Sequence, residues 1–427
     1  MKARLEPIRF IAIALLALLA LAANVQQPAT NYDEAKVGSY RLPDPLVLQN
    51  GQAVRDAAAW QGRRRQEILE LFKTQVYGRS PARAADMRFE VSEMDEHALA
   101  GAAIRKQVSV YFNSKKDTPR MDILIYLPAA ARRPVPLFLA LGFTGNHTIH
   151  TDPVIRLKDE WSRDTKTKVA AKESSRGSSS SSWPVEKILA RGYGLAAIYY
   201  GDIEPDFVGG IDYGVRPLFY QPGQTAPAAD QWGAIGAWAW GLSRVMDYLA
   251  ADRNVDSSRV TVMGHSRLGK TALWAGAQDA RFAMVISNDS GEGGAALSRR
   301  NFGETIRDLN TRFPHWFCDN YKKYSDAVDR LPVDQHMLLA LVAPRPLYIA
   351  SAQDDQWADP RGEFLSAVAA SPVYRLLGKK GIDSDRMPSV NEPIMNTIGY
   401  HIRTGKHAVT AYDWDQFLTF ADKHLAR

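Results

Sequence analysis

The chain has 427 residues, of which 45% are apolar and 23% charged. That ordinary globular balance excludes global disorder and leaves enough apolar surface for a large core. The formal charge is +6, with no dense Lys/Arg block interleaved with aromatics, so nucleic acid is not an expected partner. A single cysteine, Cys318, excludes an intrachain disulfide, and core packing has to hold the fold together.

The first residues read as a leader. "MKARLEPIRF" carries Lys2, Arg4 and Arg9 against Glu6, an apolar run follows to Ala23, and Ala20-Leu21-Ala22 supplies a small-x-small cleavage site. This is the layout of a secretory signal peptide over residues 1–22, and the run is shorter than the ~20 residues a membrane span needs. The expected product is exported, periplasmic or extracellular, without a stable membrane anchor after cleavage, at a net charge of about +4.

Residues 23–100 are expected to form an N-terminal arm and a helix, "DAAAWQGRRRQEILELFKTQVYG", packed on a catalytic domain over 101–427. Strand-like runs follow at "RKQVSVYF", "RMDILIYLP" and the wholly apolar "VPLFLALGF". Beyond them strands ("GLAAIYYG", "RVTVMGH", "FAMVIS", "RPLYIAS") alternate with helices at 231–250, 267–277 and the C-terminal "YDWDQFLTFADKHLA". Alternation of short apolar strands with helices predicts an α/β fold, a mostly parallel sheet covered on both faces. Residues 146–186, 298–336 and 372–398 show no clear period. As long insertions they would fall around a pocket beyond the carboxyl ends of the strands.

"VTVMGHSRLGKTALWAG" reads as a strand, a tight corner and a helix, with Ser266 at the corner. In an α/β-hydrolase such a serine is the nucleophile on a strained elbow; its alternative is to be the N-cap of the following helix. Glycine stands two residues before the serine, at Gly264, but three after it, at Gly269, so the usual Gly-x-Ser-x-Gly spacing is half met. The order Ser, acid, His then asks for a late histidine. His407, in the polar loop "RTGKHAVT", is the expected base; His401 ends an apolar run and His424 lies in the last turn of the final helix. Two loops offer the acid: Asp354 and Asp355 in "AQDDQWADP", and Asp289 in "SNDSGEGG". Together they predict a serine hydrolase.

The segment "GHSRLGK" resembles the signature of glucuronoyl esterases, carbohydrate esterase family 15. The resemblance continues through "NDSGEGGAALSRRNFGET", "FPHWFC", "LPVDQHMLLALVAPRPLYIASAQDDQWADP" and "GYHIRTGKHAVTAYDW", and covers most of residues 135–427. It implies an α/β-hydrolase of the bacterial branch that cleaves esters of 4-O-methyl-glucuronic acid on glucuronoxylan, lignin ester links included. It further implies Ser266 as nucleophile, His407 as base and Arg267 at the oxyanion, with Lys270, Glu304 and Trp357 on the sugar. Asp355 is the expected acid and Asp289 the alternative, because Asp289 is one methylene shorter than the Glu of fungal-type members. The signature's Cys is replaced by His265.

No metal or organic cofactor is called for, since no metal-binding spacing such as H-E-x-x-H occurs, and a monomer is expected. Two rival readings share the residues: another carbohydrate esterase, such as an acetylxylan esterase, and a non-catalytic carbohydrate-binding protein on a hydrolase scaffold.

Overall fold

The runs "VPLFLALG", "GLAAIY" and "LYIASA" are buried along their whole length, the mark of strands with helices against both faces. The computed structural model describes residues 30–115, 119–132 and 134–425; the expected signal peptide lies outside them. In chain order the strands are β1 (Arg88–Ala98), β2 (Ala103–Tyr111), β3 (Arg120–Pro128), β4 (Val135–Gly142), β5 (Glu160–Trp161), β6 (Lys168–Val169), β7 (Gly194–Tyr199), β8 (Val255–His265), β9 (Met284–Asn288), β10 (Leu347–Ala352), β11 (Ile394–Met395) and β12 (Ile398–Arg403). All but the β5–β6 ribbon join one sheet in the order β1-β2-β3-β7-β4-β8-β9-β10-β12-β11. The run from β7 to β12 is parallel, and both margins are antiparallel.

Two cores lie on the two faces. One is built on helices Ala234–Leu249, Arg267–Gln278 and Pro360–Leu376 with Trp238, Trp274 and Phe364. The other holds helices Val185–Ala190 and Ala411–Leu425 through Ile188, Trp414 and Phe417.

Residues 88–98 carry no strand signal in the sequence, yet they form β1 and pair with β2 from Arg88↔Tyr111 to Ala98↔Ala103. "RFEVSEMDEHA" is mostly exposed, and charge on an edge strand guards against edge-to-edge pairing while hiding the period-two pattern. The expected boundary at residue 100 therefore falls inside a hairpin, and the end of the presumed arm belongs to the sheet. Upstream, Ala57–Ala59 enters a π turn, Trp60–Arg64, and continues as helix Arg65–Gln75. Arg65 donates to the carbonyls of Ala277 (2.8 Å) and Leu341 (3.1 Å), satisfying helix ends that would otherwise be orphaned. The stretch read as aperiodic from 372 begins inside a helix, because Pro360–Leu376 carries Pro372 in its interior.

Candidate active site

β8 ends at His265, Ser266 makes the corner, and helix Arg267–Gln278 starts at once. Ser266 has φ 58° and ψ −130°, a conformation that costs a non-glycine residue on the order of 1–3 kcal/mol and persists only where the surroundings impose it. The turn is tight enough that a Cβ on Gly264 would lie 1.9 Å from the Leu268 carbonyl oxygen. A Cβ on Gly269 would meet Ser290 at 3.0 Å and the Gly264 oxygen at 3.1 Å. A side chain is thus excluded two residues before the serine and crowded three after it, the two positions where glycine stands. Ser266 makes no side-chain capping bond to the helix. It lines a pocket instead, so simple N-capping does not account for it.

His407 reaches that pocket from the loop after β12, with its side chain 41% exposed. Its Nδ1 lies 2.5 Å from Asp355 Oδ2, a short contact of the charge-assisted kind; Nδ1–H donates to the carboxylate, which leaves Nε2 free to take a proton. Asp289 is near too, since ligand atoms of Asp289, Asp355 and His407 all lie within 4.8 Å of one another. Its Oδ2, however, accepts from Arg403 Nη2 and from the Ala408 backbone N–H, both at 3.4 Å, while Oδ1 has no hydrogen-bond partner among the described residues. Burial, and then the charges of Glu363 and Asp355, raise the Asp289 pKa well above the usual carboxylate value. One carboxylate of the pair is pushed toward neutrality, as close acids are. His401 is fully buried between Tyr348 Oη (3.0 Å) and Asp413 Oδ1 (2.9 Å), part of the core. His424 packs its ring against Phe420 in the last turn of the final helix.

Arg267, the first residue after the corner, points its guanidinium at Asp206, with which it forms a short ion pair. The ring centroids of Trp316, Phe143 and Phe313 lie 5.0, 5.5 and 5.8 Å from it. Asp206 also accepts from Trp316 Nε1 (2.7 Å), His315 Nε2 (2.9 Å) and Tyr200 Oη (3.1 Å). These bonds and the arginine charge overcome its burial and hold its carboxyl far below the usual range. A cation is thereby fixed beside a helix N-terminus, where the dipole opposes it.

Lys270, one turn on, donates to the Ser290 carbonyl (2.7 Å), the Glu292 carbonyl (2.5 Å) and Glu304 Oε2 (2.9 Å). Trp357 Nε1 donates to Glu304 Oε1 at 3.1 Å. The structure thus brings Lys270, Glu304 and Trp357 into one bonded unit, in the same cavity of about 300 Å³ as Ser266, Arg267, Asp289, Asp355 and His407. Sequence reasoning missed Asp206, Arg312, Phe313 and Trp316. Three of them line the cavity, and "FPHWFC" gave the only hint. Asp206 carries no local signal, because its role depends on partners 61 and 110 positions away.

A family model described as "Glucuronyl esterase, fungi" matches residues 224–378. A carbohydrate esterase from an unknown prokaryotic organism is 54% identical over 399 residues, 92% of either chain. A solved CE15 esterase from a marine bacterial metagenome is 52% identical over 93% of this chain and all of its own, at TM-score 0.86. The chain belongs to the glucuronoyl esterases of carbohydrate esterase family 15. A solved glucuronoyl esterase from Solibacter usitatus is similar at 57% identity and TM-score 0.89, over 91% of this chain and 99% of that one. A 4-O-methyl-glucuronoyl methylesterase from Phanerochaete carnosa is 25% identical over 79% of this chain and 72% of its own. The glucuronoyl esterase of Sporotrichum thermophile, solved as a serine variant with methyl 4-O-methyl-β-D-glucopyranuronate, shares the fold at TM-score 0.60 and 19% identity, over 90% of this chain and 87% of that one. The protein is a carboxylic ester hydrolase with the α/β-hydrolase fold. Among the described residues no helix is long and apolar enough to cross a membrane.

Proposed function

We propose that this esterase hydrolyses esters of (4-O-methyl-)glucuronic acid on glucuronoxylan, lignin-carbohydrate ester links included, outside the cytoplasm after loss of residues 1–22. The observation that carries the reading is one cavity lined by an elbow serine that does not cap its helix, a carboxylate-bound histidine and three cationic side chains, Arg267, Lys270 and Arg312.

His407 Nε2 takes the Ser266 proton, and the serine oxygen attacks the C6 carbonyl of the uronate. Negative charge gathers on the carbonyl oxygen beside the Arg267 guanidinium and the backbone N–H groups that open helix Arg267–Gln278, which have no intrahelical acceptor. Asp355 stabilises the imidazolium and fixes its tautomer. The alcohol leaves with the proton from Nε2, and water, activated by the same nitrogen, releases the acid from Ser266. Glu304, its carboxylate held by Lys270, meets the sugar hydroxyls, and the Trp357 ring forms the wall beside them. Desolvated charges of this kind favour a uronate over a small acyl group.

The test is kcat/KM on methyl and benzyl glucuronate against acetylated xylan, for wild type and Ser266→Ala. Serine-dependent hydrolysis of the glucuronates, with benzyl preferred, is expected. Acetyl release alone would keep the serine hydrolase and remove the uronate pocket. No activity on any of the three would favour the binding-protein reading.

A further inference from the structure

His265, the residue before the nucleophile, faces the catalytic base directly. The two imidazole rings lie 4.4 Å apart, centroid to centroid, at 43°. The Phe143 ring stands edge-on to His265 at 6.2 Å. His265 Nδ1 is 2.6 Å from Asn288 Oδ1. The Asn288 amide nitrogen faces Asp413 Oδ1 at 3.5 Å, so its oxygen is the atom presented to His265, and His265 Nδ1–H is the donor. Asn288 is fully buried, and its backbone carbonyl accepts the Ser266 N–H at 2.9 Å. One asparagine therefore ties the nucleophile's backbone to the tautomer of the ring before it.

We propose that His265 is a positioning residue, a neutral imidazole plate locked in one tautomer by Asn288, which holds the His407 ring between Ser266 and Asp355 and turns a π face toward it when it takes the serine proton. The proposal rests on the triad reading above and adds to it a residue that does not touch substrate.

Neutrality follows from the surroundings. Asp289 Oδ2 lies 3.9 Å from His265 Nδ1, Asp355 sits behind His407, and Asp413 sits behind Asn288. The Asn288 bond, Asp355 and Asp413 favour a charged ring, but burial and the His407 charge outweigh them and hold the His265 pKa down to about 3. A second imidazolium is thus kept away from the base while it cycles. An imidazolium over an aromatic face is attracted to it, in the manner of other cation–π pairs.

The experiment compares wild type, His265→Ala and His265→Phe by kcat and KM for methyl glucuronate across roughly pH 5–9, the range in which histidines titrate. The rate at which a fluorophosphonate labels Ser266 is measured in parallel. His265→Ala should lose about 10- to 100-fold in kcat with KM within about 2-fold, the pattern of a displaced catalytic group. His265→Phe, which keeps a plate without titrating, should recover to within about 5-fold of wild type, and the wild-type acid limb should fall with the slope of one proton.

Full kcat in His265→Ala would overturn the proposal. So would a Phe variant as slow as Ala, or a two-proton acid limb in wild type that becomes one-proton in His265→Phe. If neither variant folds, nitrogen NMR of the wild type decides: Nδ1 protonated and Nε2 bare at about pH 5 is expected, and a doubly protonated ring there contradicts the plate. If the wild type leaves glucuronates untouched, the functional reading fails, yet the labelling rates still decide the plate by the same fall and recovery.

Discussion

Asp355→Asn and Asp289→Asn make an informative pair, because both carboxylates lie close to His407 but only one bonds to it. Asp355 Oδ2 is 2.5 Å from Nδ1, and the imidazolium formed during attack would lose that partner in the asparagine variant. Two unit charges roughly 4 Å apart attract by about 4 kcal/mol at an effective dielectric of 20. With the His407 side chain 41% exposed, solvent screening leaves about half of that. Loss of the fixed tautomer adds roughly 1–2 kcal/mol, for a total near 3–4 kcal/mol, or about 10²- to 10³-fold in kcat. Asp289→Asn replaces a group already pushed toward neutrality and should cost less than about 10-fold. The assay is steady-state hydrolysis of methyl glucuronate at about pH 7.5, with thermal unfolding to certify the fold. A larger loss in Asp289→Asn than in Asp355→Asn would refute the assignment.

Asp206→Asn should reduce stability by about 2–3 kcal/mol, since it leaves Arg267 beside the elbow without its counter-charge, and should lower kcat as the guanidinium loses its anchor. Because the Asp206 pKa is depressed in the folded state, its contribution is full above about pH 4 and fades as pH falls; the stability gap between wild type and variant, read from denaturant midpoints, should narrow in acid. Lys270→Met should lower kcat/KM on methyl glucuronate by about 10- to 100-fold, the value of a charged hydrogen bond, while hydrolysis of a small phenyl ester changes by less than about 3-fold. Equal losses on both esters would remove Lys270 from sugar recognition. Glu304→Gln should raise KM with kcat largely kept, because Glu304 bridges Lys270 and Trp357 rather than facing the reacting carbonyl.

The parallel half of the sheet was legible because strands buried on both faces leave unbroken apolar runs, and the elbow was legible because a turn that tight needs glycine where the sequence supplies it. β1 was not, since the charged edge strand "RFEVSEMDEHA" loses its alternation at register shifts after Val91 and Asp95. The site split in the same way. Ser266, Arg267 and Lys270 share one local segment, and His407 and Asp355 occupy loops that strand order brings to the same edge. Asp206 and Trp316 depend on contacts between distant loops, and the ring contact of His265 with His407 joins β8 to the loop after β12. Burial and the charges of Glu363 and Asp355 push Asp289 toward neutrality against the pull of Arg403, which no spacing in the chain announces.

The central claim is that Ser266 carries the acyl group. Its most direct test is rapid quenching of wild type turning over benzyl glucuronate, followed by mass spectrometry of the Ser266 peptide. The account requires a uronoyl adduct on Ser266, absent from Ser266→Ala together with the activity. Hydrolysis that persists in Ser266→Ala, with no adduct in either protein, would contradict it.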